Sequence, residues 1–308
     1  MSLAFVFPGQ GSQSQGMLKD LADSYAVVGE TFTEASDKLG YDLWEIVQQG
    51  PADRLNSTDV TQPAMLAAGV ATWRVWEQKD GHRPEIMAGH SLGEYSALVC
   101  AGSLEFKDAI GLVAERGRLM QEAVPAGEGA MAAILGLDDD AVRQACVDAA
   151  ENDVLAPVNF NSPGQVVAAG NRAAIERLVI LAKERGAKRA LVLPVSVPSH
   201  CSLMKPAAEK LAEVLSNIDI QSPQIPVINN VDVSAPSDPA AIRDALVRQL
   251  YNPVRWVETV QKMAGEGVNH LIECGPGKVL VGLNKRIEKS MAAEAVFDPA
   301  SLDAALGQ

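Results

Sequence analysis

Gly89-His90-Ser91-Leu92-Gly93 stands directly after the apolar run Ile86-Met87-Ala88 and directly before a stretch of helical composition. G-x-S-x-G between a strand and a helix is a nucleophile elbow. The flanking glycines permit a tight turn that lifts the serine hydroxyl out of the fold. The N–H of Leu92 then lies at a helix N-terminus, where positive partial charge can meet an oxyanion. Serine is a poor nucleophile at its free pKa and needs a base. The chain has four histidines, His82, His90, His200 and His270. His82 lies in the polar turn Lys79-Asp80-Gly81 and reads as surface, while the His90 ring should point away from its neighbour's hydroxyl. His200 sits where the loop Val197-Pro198-Ser199 enters a helix, and loops carry function disproportionately. His270 with Asp232 would fit the serine–acid–histidine order of hydrolases. His200 would need no acid if a backbone carbonyl or an amide oriented it. The residues alone leave both bases open.

Three further groups could complete such a site. The loop Pro8-Gly9-Gln10-Gly11-Ser12-Gln13 leaves the first strand and could bring the Gln10 N–H beside the elbow as a second oxyanion donor. It fails the G-x-G-x-x-G phosphate pattern because Ser14 occupies the third glycine position. Arg116 is of the type that recognises carboxylates with two parallel hydrogen bonds. On spacing alone, a helix-surface pair with Glu115 or Glu122 is the better reading. Asn159 and Asn161 precede Ser162-Pro163-Gly164 and read as turn-forming.

The elements around these residues alternate. Leu3–Phe7 reads as a buried strand ended by Pro8-Gly9, 17–39 and 62–77 as helical, 50–62 as polar turns, and 103–122 as helix. From Pro125-Ala126-Gly127 the texture changes. A strand at 129–137, a helix capped by Asp138, strands at 154–160 and 165–169, a helix capped by Asn171 and closed by Gly186, and a strand at 190–195 follow. The order β-α-β-β-α-β is the ferredoxin-like signature. Residues 127–196 therefore read as an inserted domain. Beyond it, helices at 200–216, 239–250, 254–264 and 278–290 alternate with strands at 225–229 and 270–273, and the tail from Met291 is weakly determined. Strand–helix alternation on both sides of the insertion indicates an α/β core.

The 308 residues carry 26 Lys+Arg against 39 Asp+Glu, a net charge of −13, which argues against nucleic-acid binding. With 47% hydrophobic and 21% charged residues the chain is an ordinary globular protein. The scattered Cys100, Cys146, Cys201 and Cys274 have no metal-ligand spacing. No run reaches the ~18 apolar residues of a membrane span, and the N-terminus lacks the flanks of a signal peptide. A cytoplasmic location, with neither membrane nor metal, is the expectation.

These pieces together resemble malonyl-CoA:acyl-carrier-protein transacylases of type II fatty acid synthesis. FVFPGQGSQ, GHSLGEYSAL, AERGRLMQEAVPAGEGAMAAILGL, VNFNSPGQVVAAG, LPVSVPSHCSLMKPAA, VRQLYNPVRW and ECGPGKVL occur in the family's order through nearly the whole chain. GHSLGE alone would also suit polyketide acyltransferase domains; the set at this length is specific. The resemblance implies Ser91 as nucleophile and His200 as its base, oriented by the main-chain carbonyl of Gln249. It implies backbone N–H donors from Gln10 and Leu92, a malonyl-carboxylate partner in Arg116, and Asn159 and His90 lining the site. The implied fold is an α/β-hydrolase-like domain, 1–126 and 197–308, with the ferredoxin-like domain 127–196 inserted. The implied reaction moves malonyl from malonyl-CoA to the phosphopantetheine thiol of acyl carrier protein by a ping-pong route without a cofactor. Carrier proteins of this pathway are typically acidic, so docking on a basic cluster is expected. Lys183, Arg185, Lys188 and Arg189 form one candidate; Lys285, Arg286 and Lys289 form another. A thioesterase using His270 and a catalytically silent carrier-binding scaffold are the competing readings.

Overall fold

A computed structural model of the protein describes residues 2–195 and 197–307. The expected domain boundary at Ser196 and the chain ends Met1 and Gln308 lie outside the described residues.

Five strands, β1 (Leu3–Phe7), β2 (Ile86–Gly89), β7 (Val227–Ile228), β8 (His270–Cys274) and β9 (Ala292–Val296), form a parallel sheet in the order β7-β2-β1-β8-β9. Central parallel strands are buried on both faces, so β1 is apolar throughout. Its side chains alternate between two cores. Leu3, Phe5 and Phe7 enter one with the helix Thr58–Gln78, and Ala4 and Val6 enter the other with Ile86, Ala88, Trp256 and Leu271. Phe5 packs edge-on against Trp73 and Trp76, with ring centroids 5.2 and 5.1 Å away. Thr58–Gln78 is buried almost all round, which is why its sequence is Ala-rich and shows no polar face.

A second sheet is antiparallel: β3 (Gly129–Leu135), β4 (Leu155–Ser162), β5 (Gln165–Asn171) and β6 (Arg189–Val192), in the order β4-β5-β3-β6. Numbered within the segment, that is second-third-first-fourth, the ferredoxin-like arrangement. Helices Asp139–Ala150 and Arg172–Glu184 cover one face through Ala130, Ala132 and Ile134. Met131, Val158 and Val167 point to the opposite face, where they pack with Cys201. Phe160 N–H donates to Val254 O, and Val254 N–H to Val158 O, at 3.0 and 2.8 Å. These two bonds fasten the edge strand β4 to the segment that precedes the helix Trp256–Gly265.

Local expectations shift in four places. The polar stretch 50–62 contains a short helix, Ala52–Leu55, and the start of the long helix at Thr58. Leu43–Gln49 is also helical, capped by Asp42. The tail forms β9 and the helix Pro299–Leu306, closed by an Asp298–Ser301 capping box. Asn171 precedes its helix without capping it; its Oδ1 instead accepts the Val154 N–H at 2.8 Å, which ties β5 to β4.

Candidate active site

The elbow forms because β2 ends against β1 and the chain must reverse at once into the helix Gly93–Cys100. Ser91 has φ 51°, a left-handed conformation costly for a residue with a side chain. Neither flanking position has room for a side chain. A Cβ on Gly89 would sit 1.8 Å from the Gly93 carbonyl carbon, and one on Gly93 would sit 2.0 Å from Phe7 O. Asn230 staples the turn. Its Oδ1 accepts the Ser91 N–H and its Nδ2 donates to Gly89 O, both at 2.7 Å.

Ser91 Oγ lies 2.8 Å from His200 Nε2. His200 also has positive φ, 65°, and its backbone N–H donates to Leu250 O at 2.9 Å. Its Nδ1 is 2.8 Å from Gln249 O. That carbonyl ends the helix Pro239–Gln249, where the last turn has carbonyls without intrahelical donors. A carbonyl can only accept, so Nδ1 carries the proton and Nε2 presents its lone pair to the serine hydroxyl. Burial first, and the Arg116 charge second, push the His200 pKa down to about 3. The imidazole is therefore neutral at any ordinary pH, with the Nε2 lone pair free to accept the serine proton.

His270 takes no part. It begins β8 beside Leu3, whereas the elbow leaves β2 beside Phe7. Four residues of strand, roughly 13 Å, separate these levels. Asp232 is engaged by Arg248 in a two-pronged ion pair at 2.9 and 2.7 Å, which lowers the Asp232 pKa.

Arg116 is 1% exposed although its helix, Phe106–Glu122, is amphipathic. The surface pairs with Glu115 and Glu122 belong to Arg118, two residues further along the helix. Arg116 donates instead to Gln62 Oε1 at 2.8 Å, Gln249 Oε1 at 2.9 Å and Ser91 Oγ at 3.3 Å, and its guanidinium lies 5.4 Å from the Tyr95 ring centroid. Its Nε–H is buried without a partner, and no ion pair to it forms among the described residues. Its direct partners are all neutral acceptors, and the one buried carboxylate that acts on it, Glu94, does so through space, so no carboxylate contacts this buried cation as such groups normally require.

Ser91, His200, Arg116 and Gln62 line a cavity of about 120 Å³ with Gln10, Leu92, Met120, Met131 and Val197. The Gln10 and Leu92 N–H groups donate to no protein atom among the described residues. His90 and Asn159 also line it. His90 Nε2 lies 2.8 Å from Asn161 Oδ1, and burial lowers the His90 pKa. Asn159 and Asn161 stand in β4 itself, whose register breaks beside them, rather than in the turn that follows. Asn159 Oδ1 is buried without a partner. Gln62, Glu94, Asn230 and the Gln249 side chain were not legible in the sequence. They are single polar residues in apolar or helical surroundings, with no motif to mark them.

A family model described as acyl transferase domain matches residues 4–298. The chain belongs to the acyl transferase family. Within that family it groups with proteins named malonyl CoA-acyl carrier protein transacylase. That of Salmonella typhimurium is 62% identical over 305 residues, 99% of both chains, and that of Bacillus subtilis 47% identical over 305 residues, 99% of this chain and 96% of the relative. Among solved structures, an acyl carrier protein S-malonyltransferase from Vibrio cholerae is 64% identical over 99% of both chains, with a TM-score of 0.97. A malonyl-transacylase solved in complex with a type II PKS acyl-carrier protein is 61% identical over 100% of this chain and 99% of its own, with a TM-score of 0.99. The mixed α/β fold with its two sheets is thus the fold of solved acyl transferase family members.

Proposed function

We propose that this acyltransferase moves a malonyl group from malonyl-CoA to the phosphopantetheine thiol of an acyl carrier protein through a malonyl-Ser91 ester, supplying extender units for fatty acid synthesis. The observation that carries the reading is Arg116, a buried guanidinium 3.3 Å from the nucleophile that no carboxylate contacts directly among the described residues. A malonyl group brings that carboxylate at one end and a thioester at the other.

In the first half-reaction His200 Nε2 takes the Ser91 proton as Oγ bonds to the thioester carbonyl carbon. The Gln10 and Leu92 N–H groups receive the oxyanion; losing one such donor typically costs about 3–4 kcal/mol in the barrier. The tetrahedral intermediate expels the CoA sulfur, which leaves with the proton from His200. In the second, the carrier thiol gives its proton to His200 and attacks the ester, and Ser91 Oγ recovers the proton. Nucleophile, base and donors all come from the chain, so the scheme requires no cofactor. The cavity is well below the ~300 Å³ of sites that enclose a drug-sized ligand. It suits the acyl end and leaves the rest of CoA outside.

We place the domain division at 1–126 and 197–308 against 127–196, with substrate entering between. Met131 and Leu193 on one side and Ser91 and Arg116 on the other line the same cavity, which supports this division. Cytoplasmic location accords with four free cysteines and with no helix among the described residues long and apolar enough to cross a membrane.

For the carrier protein, part of each basic cluster lies at one end of the small sheet. Leu135 of β3 pairs with Gln165 on one side and Arg189 on the other, and Arg286 donates to Gln165 Oε1 at 2.9 Å. Lys188, Arg189, Lys285 and Arg286 are exposed around this one sheet end. Such a patch would attract an acidic carrier and speed encounter.

The deciding experiment is incubation with labelled malonyl-CoA, location of the label by mass spectrometry, then a chase. Label on Ser91 that passes to carrier protein and outlasts buffer supports transfer. Rapid loss to buffer makes the protein a thioesterase, and no label makes it a scaffold.

A further inference from the structure

Glu94 is buried beside the elbow, and its Oε2 accepts two hydrogen bonds, from Asn230 N–H at 2.9 Å and from Gln249 Nε2 at 2.8 Å. Gln249 Nε2 also donates to Ser91 O at 3.1 Å, while Gln249 Oε1 accepts from Arg116. A primary amide can be turned over, exchanging its oxygen and nitrogen. A carboxylate and a carbonyl can only accept, and a guanidinium can only donate. One orientation of the Gln249 amide satisfies all three neighbours. The reversed one would set oxygen against two acceptors and N–H against Arg116.

We propose that Glu94 is a positioning residue for carboxylate recognition: its carboxylate locks the Gln249 amide so that Oε1 holds the Arg116 fork toward the substrate. This rests on the reading of Arg116 as the malonyl partner. A neutral group at position 94 could donate to Gln249 Oε1, release the amide to turn over, and leave the fork misdirected.

Burial pushes the Glu94 pKa up to about 7, opposed by the bonds from Gln249 and Asn230 and by the Arg116 charge. Asp232 also faces it and raises it further, but is itself lowered by Arg248. Tyr95, pushed up to about 12, and His200, at about 3, titrate elsewhere. The locked, ionised form therefore gains population as pH rises through about 7.

The test is the ratio of kcat/KM for malonyl-CoA to that for acetyl-CoA, measured between about pH 5.5 and 8.5. The wild-type ratio is expected to rise with pH through about 7. In Glu94→Gln it is expected to lie about 10- to 100-fold lower at the alkaline end, the range for a hydrogen bond to a charged group, and to be flat. A structural role would lower both substrates together and leave the ratio unmoved; that result, or a wild-type ratio independent of pH, overturns the proposal. The wild-type profile decides even if the variant does not fold. Arg116→Ala is run alongside. If it keeps the wild-type ratio, the malonyl reading fails; if it loses the ratio and Glu94→Gln does not, only the role of Glu94 fails.

Discussion

Replacing Arg116 by alanine should separate substrate selection from acyl transfer itself. The guanidinium bonds to Gln62, Gln249 and Ser91, so its loss has two consequences. The acceptors Gln62 Oε1 and Gln249 Oε1 lose their donor, at roughly 1–3 kcal/mol of stability each when buried and unsatisfied. That cost falls on the protein whichever substrate is offered, and a urea midpoint measures it. The second consequence depends on the substrate. A malonyl carboxylate entering the cavity would be desolvated without its counter-charge, at roughly 3–5 kcal/mol for a broken buried pair. Acetyl brings no carboxylate and escapes this term. The malonyl-to-acetyl ratio of acyl-enzyme formation should thus fall by about two to nearly four orders of magnitude. Single-turnover labelling of Ser91 from each CoA ester, followed by mass spectrometry, reads the ratio directly. Arg116→Lys should give an intermediate value, because an ammonium keeps the charge but cannot hold two amide oxygens as a planar fork. Equal loss for both substrates would refute the argument and make Arg116 a structural residue.

Gly93→Ala should lose roughly 3 kcal/mol of stability in urea titration, because the new Cβ meets Phe7 O at 2.0 Å and only backbone can yield; a near-neutral result would mean the elbow is looser than described. His200→Ala should slow Ser91 labelling by orders of magnitude, whereas His270→Ala should label at a rate close to wild type in whatever fraction stays folded; the reverse result would restore the hydrolase assignment. Reversing the charges of Lys188, Arg189 and Arg286 together should raise KM for carrier protein and flatten its salt dependence while sparing transfer to free pantetheine; unchanged carrier kinetics would place docking elsewhere. Glu273 accepts the Val281 N–H at 2.8 Å, and burial pushes its pKa up to about 7 from an ordinary value near 4.5. With a raised folded pKa, its favourable contribution is complete below about pH 4.5 and is lost as pH rises through about 7. Glu273→Gln should therefore gain stability over wild type at pH 8 relative to pH 5, by up to about 3 kcal/mol; urea midpoints that shift equally at both pH values would contradict this.

What the chain's local pattern determined is what depends on neighbours in sequence. The strand–Gly–x–Ser–x–Gly–helix run specifies the elbow because both glycines are required by backbone contacts within a few residues or on the adjacent strand. The β-α-β-β-α-β order over residues 129–192 is legible because strand and helix periods differ, and Asp138 marks its helix start by a local bond to Ala141 N–H. Family likeness in the sequence also pointed to His200, which spacing alone left level with His270. Tertiary structure decided the rest, since it turns on which distant residues meet. The 13 Å of strand between His270 and the elbow follows from parallel register, which no local pattern carries. Arg116 and Arg118 are two residues apart on one helix; one is buried and the other exposed only because Thr58–Gln78 packs against that helix's inner face. The elements β9 and Pro299–Leu306 escaped notice because an Ala-rich tail has little propensity contrast, and pairing with β8 supplies what the segment itself lacks. Glu94, Gln249 and Arg116 become one network only where helices begun 93, 239 and 106 residues into the chain converge on Ser91, so their shared chemistry exists in the fold and not in any stretch of sequence.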